Sequence, residues 1–241
     1  MKVPHLYNIN GKDKLVCVVV HGFGGSKDSF TAQMLLKELP ARGIGVMAFD
    51  LPAHGENDVD GGSLLLANCL SDLADVESRA RALAPGAEIV YFGSSFGAYI
   101  TLVYLAKKKK GKYRAFLRAA AVSMPRLSVS LMRAEQLTSL SKTGEIILKA
   151  DEYGYIRDLK LSQEFFDELK AHDVFDMWHE GLAELHMVHG EADETVPFGD
   201  AKKFADKFNV PLTAVPNGDH RLSIPGAPEQ VLKLAAEFFL K

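Results

Sequence analysis

Short β-branched runs alternate with longer helical runs along most of this chain, and this alternation restricts the fold more than any other feature. The run Leu15–Val20 is continuously apolar, as is typical of a strand buried on both faces of a parallel sheet. Comparable strand runs are Gly45–Phe49, Ile89–Phe92, Phe116–Val122, Leu185–Val188 and Leu212–Val215. The helical runs between them are Phe30–Leu39, Leu64–Leu83, Ala98–Lys107, Phe198–Phe208 and Glu229–Leu240. The pattern predicts an α/β protein with a mostly parallel central sheet and helices on both faces.

The start of the chain predicts an antiparallel strand. Leu6–Ile9 is β-prone, and a turn-forming sequence, Asn10–Asp13, separates it from Leu15–Val20. Two strand runs joined by such a short turn are typical of a hairpin. We therefore expect the first strand to pair with the second.

A second departure from the alternation covers residues 124–184. Within it we predict helices at Leu131–Leu140 and at Gln163–Leu169, the latter capped by Ser162, and a small hairpin of Ile146–Leu148 and Tyr153–Ile156. The segment lies between two strand runs, so it is predicted to be an insertion over the carboxyl edge of the sheet. We expect one domain, residues 1–241, with residues 124–184 as a small cap.

Composition narrows the class of partner. The 241 residues are 47% hydrophobic, which suits one large α/β domain or two small ones. A net charge of −3 favours neither nucleic acid nor a membrane surface, and Lys107–Lys110 is interpreted as a solvated helix end. No apolar run reaches the ~20 residues of a membrane span, and Met1–His5 lack a signal-peptide core. Cys17 and Cys69 are expected to be buried free thiols, which favours a cytoplasmic location.

The sequence Gly93-Ser94-Ser95-Phe96-Gly97 follows a strand run and precedes a helical run. A serine on such a tight strand-to-helix turn presents its hydroxyl outward, and glycines on both sides relieve the crowding. The central position of the pattern is Ser95, which is therefore the candidate nucleophile in preference to Ser94.

A serine hydroxyl needs a base and an acid that orients the base. The candidate base is His220, in a turn that follows the last strand run. The candidate acid is Asp193, directly after the Leu185–Val188 run, with Glu191, Glu194 and Asp219 as rivals. Loops that follow parallel strands meet at the carboxyl edge of the sheet, which is also the edge of the Ser95 turn.

The glycine-rich sequence His21-Gly22-Phe23-Gly24-Gly25 directly follows the Leu15–Val20 run. Backbone N–H groups in such a turn can point at a developing negative charge. We predict that the N–H groups of Phe23 and Phe96 form an oxyanion hole.

These motifs together resemble those of the α/β-hydrolase superfamily over nearly the whole chain. The matching sequences are HGFGG at 21–25, DLPAHGEND at 50–58, GSSFG at 93–97, HGEADETVP at 189–197 and NGDHRLS at 217–223. The resemblance implies Ser95 as nucleophile, Asp193 as acid, His220 as base, and Phe23 and Phe96 as oxyanion donors. It implies a serine hydrolase that cleaves carboxylic esters through an acyl-enzyme, without cofactor or metal.

Within the superfamily the chain looks most similar to small cinnamoyl (feruloyl) esterases and monoglyceride-lipase-like esterases. One departure is Ser94, because many members have histidine before the nucleophile. The resemblance also implies that His21 and His54 stabilise loops, and His189 is expected to be buried. Two alternatives remain open: a serine peptidase with the same triad, and a non-catalytic binding protein of the same fold.

Other chemistries fit the sequence poorly. The glycines after His21 lack the lysine and hydroxyl of a phosphate-binding loop, because Lys27 is followed by Asp28. The histidines and nearby acids lack the spacing of a metal site, so no metal is predicted.

Substrate contacts are assigned to the inserted segment. Tyr153 and Tyr155 would lie on one face of the predicted hairpin and are candidates for contacting the substrate, with Trp178 as a further candidate. The other aromatic and Met side chains of the segment are expected to pack mostly into its own core, and they are Phe165, Phe166, Phe175 and Met177. The substrate is expected to be a small-molecule ester.

Overall fold

The computed structural model describes residues 3–60, 64–108 and 111–241. Within these ranges seven strands form the main sheet and two form a small separate sheet. The strands are β1 (His5–Asn8), β2 (Leu15–Val20), β3 (Ile44–Phe49), β4 (Glu88–Ser94), β5 (Arg114–Arg118), β6 (Glu145–Leu148), β7 (Leu159–Ser162), β8 (Glu184–Gly190) and β9 (Leu212–Val215). The main sheet has the order β1-β3-β2-β4-β5-β8-β9, and its strands run parallel except β1. The predicted α/β class is confirmed.

The sheet separates two hydrophobic clusters. Along β2 the side chains of Val16, Val18 and Val20 face one cluster, and those of Cys17 and Val19 face the other. This period of two buries both faces of the strand, as its continuously apolar sequence predicts. Cys17 and Cys69 are both free and buried.

The helices pack on both faces of this sheet. They are α1 (Phe30–Glu38), α2 (Leu66–Leu83), α3 (Phe96–Lys107), α4 (Met124–Ser130), α5 (Ala134–Thr143), α6 (Ala150–Tyr153), α7 (Gln163–Ala171), α8 (Val174–Met177), α9 (Phe198–Phe208) and α10 (Ala227–Phe239). Helices α1 and α10 contribute to one cluster, whereas α2, α3 and α9 contribute to the other. Among the described residues, the helices α1, α2, α3, α9 and α10 lie outside the inserted segment, and each was predicted to within two residues at either end.

The predicted hairpin at the start of the chain is wrong. Strand β1 is antiparallel, as expected, but it pairs with β3, so that His5 lies opposite Phe49. The turn at Asn10–Asp13 does form, with a hydrogen bond from Asp13 N to Asn10 O (2.8 Å). Strand β2 already has β3 and β4 as parallel neighbours, and therefore has no free edge for β1.

The strand predicted at Phe116–Val122 ends earlier than expected. Strand β5 stops at Arg118, and Ala119 has a positive φ of 47°. The chain then bends around the turn that carries Ser95, since Ala121 N donates to Ser95 O (3.3 Å). Ala121 therefore bonds to that turn instead of continuing the predicted strand.

Helices α4 to α8 and the β6–β7 hairpin lie between β5 and β8, which are neighbours in the sheet. Ser162 caps α7 as predicted, since its hydroxyl accepts from Phe165 N (3.3 Å). The predicted helix Leu131–Leu140 begins later, at Ala134.

The predicted hairpin within this segment has the wrong second strand. Strand β6 pairs with Leu159–Ser162, whereas Tyr153 ends the short helix α6. The acidic residues Asp151 and Glu152 in its first turn favour a helix there, and Gly154 ends it with a positive φ of 68°. Tyr153 and Tyr155 therefore do not share a strand face.

The lysine run after α3 lies partly outside the described residues, which exclude Lys109 and Lys110. Helix α3 ends at Lys107, and Lys108 forms an ion pair with Glu77 (2.5 Å). None of the helices in the described part of the chain is long and apolar enough to cross a membrane.

Candidate active site

Ser95 occupies a strained turn between β4 and α3. Its φ of 52° and ψ of −116° lie outside the regions that most residues adopt. The neighbouring glycines make the turn possible. A Cβ on Gly93 would lie 2.6 Å from the Cα of Ala98, and one on Gly97 would collide with the carbonyl of Val20. The turn therefore needs both glycines of the G-x-S-x-G sequence.

Ser95, His220 and Asp193 form one hydrogen-bonded chain. His220 Nε2 lies 3.1 Å from Ser95 Oγ, and His220 Nδ1 donates to Asp193 Oδ2 over 2.8 Å. The loops that carry the histidine and the aspartate are tied together, because Ala192 N donates to Gly218 O (3.0 Å). Nδ1 faces a carboxylate and so carries the proton, which leaves Nε2 free to accept one from the serine hydroxyl.

The carboxylate of Asp193 is held by four donors. Its Oδ1 accepts from Thr195 N (2.9 Å) and Val196 N (2.7 Å), and its Oδ2 contacts His220 and His189. Burial alone would raise the pKa of this carboxyl. The hydrogen bonds from His189, His220 and Val196 N outweigh burial and hold the pKa below its ordinary value. The group therefore stays ionised at neutral pH.

The rival acids either bind another partner or are exposed. Asp219 accepts from Ser223 N (2.6 Å) and Ser223 Oγ (2.7 Å), and so closes its own turn. Glu191 and Glu194 are exposed. Of the four acids considered from the sequence, Asp193 is the one that contacts His220.

Ser94 points to a different partner from Ser95. Its hydroxyl accepts from Arg118 Nε (3.1 Å), and Arg118 also donates from a terminal nitrogen to His220 O (3.2 Å). Burial lowers the pKa of this guanidinium to about 10, although Asp193 and Asp219 oppose the shift. Arg118 was not predicted to be a site residue, because in the sequence it is one charged residue at the end of a strand.

The glycine loop, residues 21–25, lies directly against Ser95. A Cβ on Gly22 would be 3.3 Å from Ser95 Cβ, and Gly25 N donates to Gly22 O (3.0 Å). Within the described residues, the hydrogen bonds leave the backbone N–H groups of Phe23 and Phe96 without an acceptor. Their rings meet edge to face with centroids 5.6 Å apart. One of these two free N–H groups is on the glycine loop and the other is at the start of α3, and both segments adjoin Ser95.

His21 fixes this loop. Its Nε2 accepts from Leu51 N (3.1 Å), so its Nδ1 carries the proton and donates to Gly22 O (2.8 Å). Burial lowers the pKa of His21 to about 4, which makes it a poor proton acceptor at neutral pH. His54 is similarly buried, with its pKa lowered to about 3, and donates to Pro52 O (2.8 Å).

A buried lysine and aspartate brace the far end of the same loop. Asp50 accepts from Lys27 N (2.7 Å) and from Glu56 N (2.8 Å), and the Lys27 ammonium lies 3.2 Å from it. Ion pairs with Glu56, Asp28 and Asp50 raise the pKa of Lys27 despite burial. This brace was also missed, although a charged residue so close to a glycine loop was its one sequence signal.

Tyr155 approaches the glycine loop from the inserted segment. Its ring fills the space beside the Cα of Gly24 and lies 6.0 Å from the ring of Phe23. Tyr153 stacks on Tyr155 with centroids 5.5 Å apart, and its hydroxyl accepts from Gln136 (2.8 Å). Trp178 is buried against Phe204 of α9, where the rings are 6.3 Å apart. Of the three residues predicted to contact the substrate, Tyr155 therefore contacts the glycine loop, Tyr153 stacks on Tyr155, and Trp178 lies in the core.

A small recess lies where the inserted segment meets the glycine loop. It is lined by Gly24, His54, Tyr155 and Arg157, among others. Arg157 donates to Gly55 O (2.6 Å), which ties the segment to the loop after β3. Among the residues that the structure describes, no three His, Cys, Asp or Glu side chains are grouped closely enough to hold a metal ion.

A serine on a strand-to-helix turn, with histidine and aspartate at the same sheet edge, is the arrangement that the α/β-hydrolase fold provides. The family model of the "Alpha/beta hydrolase family" matches residues 17–234. The chain therefore belongs to the alpha/beta hydrolase family. No curated protein matches it significantly.

Solved structures share the fold at low sequence identity. The ferulic acid complex of Est1E from Butyrivibrio proteoclasticus is 18% identical with a TM-score of 0.79, over 99% of this chain and 96% of that one. The monoacylglycerol lipase of Paleococcus ferrophilus is 17% identical with a TM-score of 0.74, over 100% and 99%. Mouse alpha/beta hydrolase domain-containing protein 10 is 18% identical with a TM-score of 0.72, over 97% and 92%.

Proposed function

We propose that this protein is a serine hydrolase that cleaves carboxylic esters through an acyl-enzyme. The observation that carries the proposal is the hydrogen-bonded chain from Ser95 Oγ through His220 to Asp193, with contacts of 3.1 and 2.8 Å. A buried, ionised aspartate that orients a histidine towards a strained, outward serine is an arrangement that activates the hydroxyl.

The first half of the reaction forms the acyl-enzyme. Ser95 Oγ attacks the ester carbonyl carbon while its proton moves to His220 Nε2. The N–H groups of Phe23 and Phe96 donate to the carbonyl oxygen as it becomes negative. His220 then gives the proton to the departing alcohol oxygen, and the carbon–oxygen bond of the ester breaks.

The second half releases the acid. Water attacks the acyl-enzyme and gives a proton to His220, which returns it to Ser95 Oγ as the acyl group leaves. Asp193 remains ionised throughout and stabilises the positive imidazolium. No step requires a cofactor or metal.

We further propose that residues 124–184 form a cap within one domain and shape the pocket for the ester. Support comes from Tyr155, which contacts the glycine loop, and from Arg157, which binds the loop after β3. Tyr153 stacks on Tyr155 and supports its ring, whereas Trp178 packs in the hydrophobic core. The buried free thiols favour the cytoplasm, and the small net negative charge favours a small-molecule substrate over nucleic acid.

A fluorophosphonate probe tests the chemistry, since it reacts with an activated serine. We expect the wild-type protein to be labelled and Ser95→Ala to be neither labelled nor active, with an unchanged melting temperature. Ser94→Ala is the matched control and should still be labelled. An unlabelled wild-type protein would favour a binding protein of the same fold, and equal turnover of amides would favour a peptidase.

An ester panel tests the substrate class. The folds shared with Est1E and the monoacylglycerol lipase suggest hydroxycinnamate esters and monoglycerides, beside p-nitrophenyl esters of increasing chain length. A higher kcat/KM for aromatic acids supports the cinnamoyl type, and one for long chains supports the lipase type. Failure of every ester would contradict the proposal.

A further inference from the structure

His189 is a buried histidine beside Asp193 that takes no part in the steps above. Its ring is fully buried at the end of β8, with Nε2 3.0 Å from Asp193 Oδ2 and 2.9 Å from Val196 O. Both neighbouring atoms are acceptors, so Nε2 carries a proton and donates between them. Nδ1 is buried without a hydrogen-bond partner among the described residues, which favours the tautomer that leaves it bare.

Oδ2 of Asp193 consequently receives two imidazole donors, from His220 at 2.8 Å and from His189 at 3.0 Å. The two histidines are held in place by different parts of the structure. His220 lies in a loop, whereas His189 belongs to β8, which is paired on both sides in the sheet, and packs edge-on against Phe198, with ring centroids 5.9 Å apart. Because the strand keeps His189 in place, its Nε2–H group can hold the Asp193 carboxylate in a fixed orientation.

We propose that His189 is a positioning residue for the triad, which orients Asp193 for His220 and shares the negative charge on Oδ2. The inference rests on the function proposed above. Because His189 takes part of that charge, Asp193 stabilises the His220 imidazolium less than it would alone. Loss of the donor should therefore favour the imidazolium and move the acid limb of kcat/KM to higher pH.

Other charged groups lie near Asp193 and His220, and the test requires that they are the same in the wild type and the variants. They are Arg118 from β5, whose charge interacts with Asp193, and Asp219 and Arg221 from the loop of His220, whose charges interact with Arg118. The group packed on His189 from α9 is the apolar ring of Phe198. Substitution of His189 alone leaves all of these in place, so a shift in the pH profile belongs to the lost donor.

Two variants separate the hydrogen bond from the volume of the ring. His189→Phe keeps the ring and its contact with Phe198 but removes the donor. His189→Gln places an amide N–H near the position of Nε2. For His189→Phe we expect the acid limb to rise by about half a pH unit and kcat to fall with little change in KM. His189→Gln should restore the wild-type midpoint.

His186→Phe is the matched control on the same strand. His186 bonds Thr213 (3.0 Å) and stacks on Phe116, away from Asp193. It should leave the midpoint unchanged. If His189→Phe lowers the melting temperature while its pH profile matches wild type, the role is structural and the proposal is overturned. His189→Met carries the same test should the phenylalanine variant not fold.

A measurement on the wild-type protein needs no substitution and no ester. In protein labelled with ¹⁵N-histidine, the resonance of the His189 Nε2 proton should shift when the resonances of the His220 ring change with pH, and again when the probe occupies Ser95. A His189 resonance that ignores both changes overturns the inference. If esters are not cleaved but the His189 resonance responds, the proposed substrate fails and the coupling of the two histidines stands.

Discussion

Arg118 Nε donates to the hydroxyl of Ser94 over 3.1 Å, directly beside the serine of the triad. A terminal nitrogen of the same guanidinium donates to His220 O (3.2 Å). One side chain therefore links the turn of Ser95 to the loop of His220. Ser94 was noted in the sequence as a departure from the pattern of the family that the chain resembles, and its bond to Arg118 gives this residue a structural role.

Arg118→Met should lower kcat/KM by about tenfold or more, because a small displacement of the His220 loop misaligns Nε2 with Ser95. Steady-state kinetics on an ester substrate measures the effect. The matched control is Arg114→Met, at the other end of β5, where Arg114 pairs with Glu88 (2.9 Å). It should lower stability without a comparable loss of kcat/KM. Equal kinetics in the two variants would contradict the linking role.

Asp193→Asn should lower kcat by about 10⁴-fold, because an amide favours the wrong imidazole tautomer. The measurement is kcat on the same ester, with labelling by the probe as a second readout. Asp219→Asn is the control, since Asp219 bonds Ser223 instead of His220. A large loss of kcat in the control and not in Asp193→Asn would mean that the acid is misassigned.

Much of the arrangement follows from the sequence, because loops after parallel strands must meet at one sheet edge. That rule brought Ser95, Asp193 and His220 together from positions far apart in the chain. The residues it missed act through geometry that no local pattern encodes. Arg118 sits at a strand end, and its partners are set by how the chain bends after β5.

The errors have a common physical cause. The turn-forming residues Asn10–Asp13 do form a turn, as predicted. The predicted pairing of β1 with β2 is wrong, since β2 has no free edge. In the inserted segment, Tyr153–Ile156 looked extended, yet the acidic start and Gly154 favoured one helical turn. In both places the partner of a strand depended on tertiary contacts and not on the strand itself.

Gly24→Ala should destabilise the protein and lower its activity. Gly24 has a φ of 72°, so alanine costs about 1 kcal/mol in the backbone alone. Its new Cβ would also collide with the ring of Tyr155 and displace either that ring or the glycine loop. Thermal unfolding and kcat/KM together measure the two effects.

Gly43→Ala isolates the backbone cost of that substitution. Gly43 has a φ of 79°, and no heavy atom lies within 4 Å of the position that an alanine Cβ would take there. It should lower stability by about 1 kcal/mol and leave kcat/KM unchanged. Tyr155→Ala in the Gly24→Ala background should recover part of the lost stability. No recovery would mean that Tyr155 does not press on the loop.

Glu77 should make the protein sensitive to acid. This carboxylate, nearly buried, accepts from Tyr91 (2.6 Å) and Tyr104 (2.7 Å), and pairs with Lys108 and Arg81. Burial opposes ionisation, but these partners, Lys108 first, lower its pKa from 4.5 to about 2. The folded pKa is thus below the unfolded one, so the stabilisation is complete above pH 4.5 and is lost as the pH falls towards 2.

Unfolding by urea at pH values between 2 and 7 measures this contribution, which amounts to about 3 kcal/mol. Glu77→Gln should be destabilised at pH 7 and should show a flatter dependence between pH 4.5 and 2, since it has no proton to take up. The control is Glu88→Gln, whose side chain is 39% exposed and pairs with Arg114, and which should keep the acid sensitivity of the wild type. Equal slopes for wild type and Glu77→Gln would show that other carboxylates govern acid unfolding, because the slope counts the protons that unfolding binds.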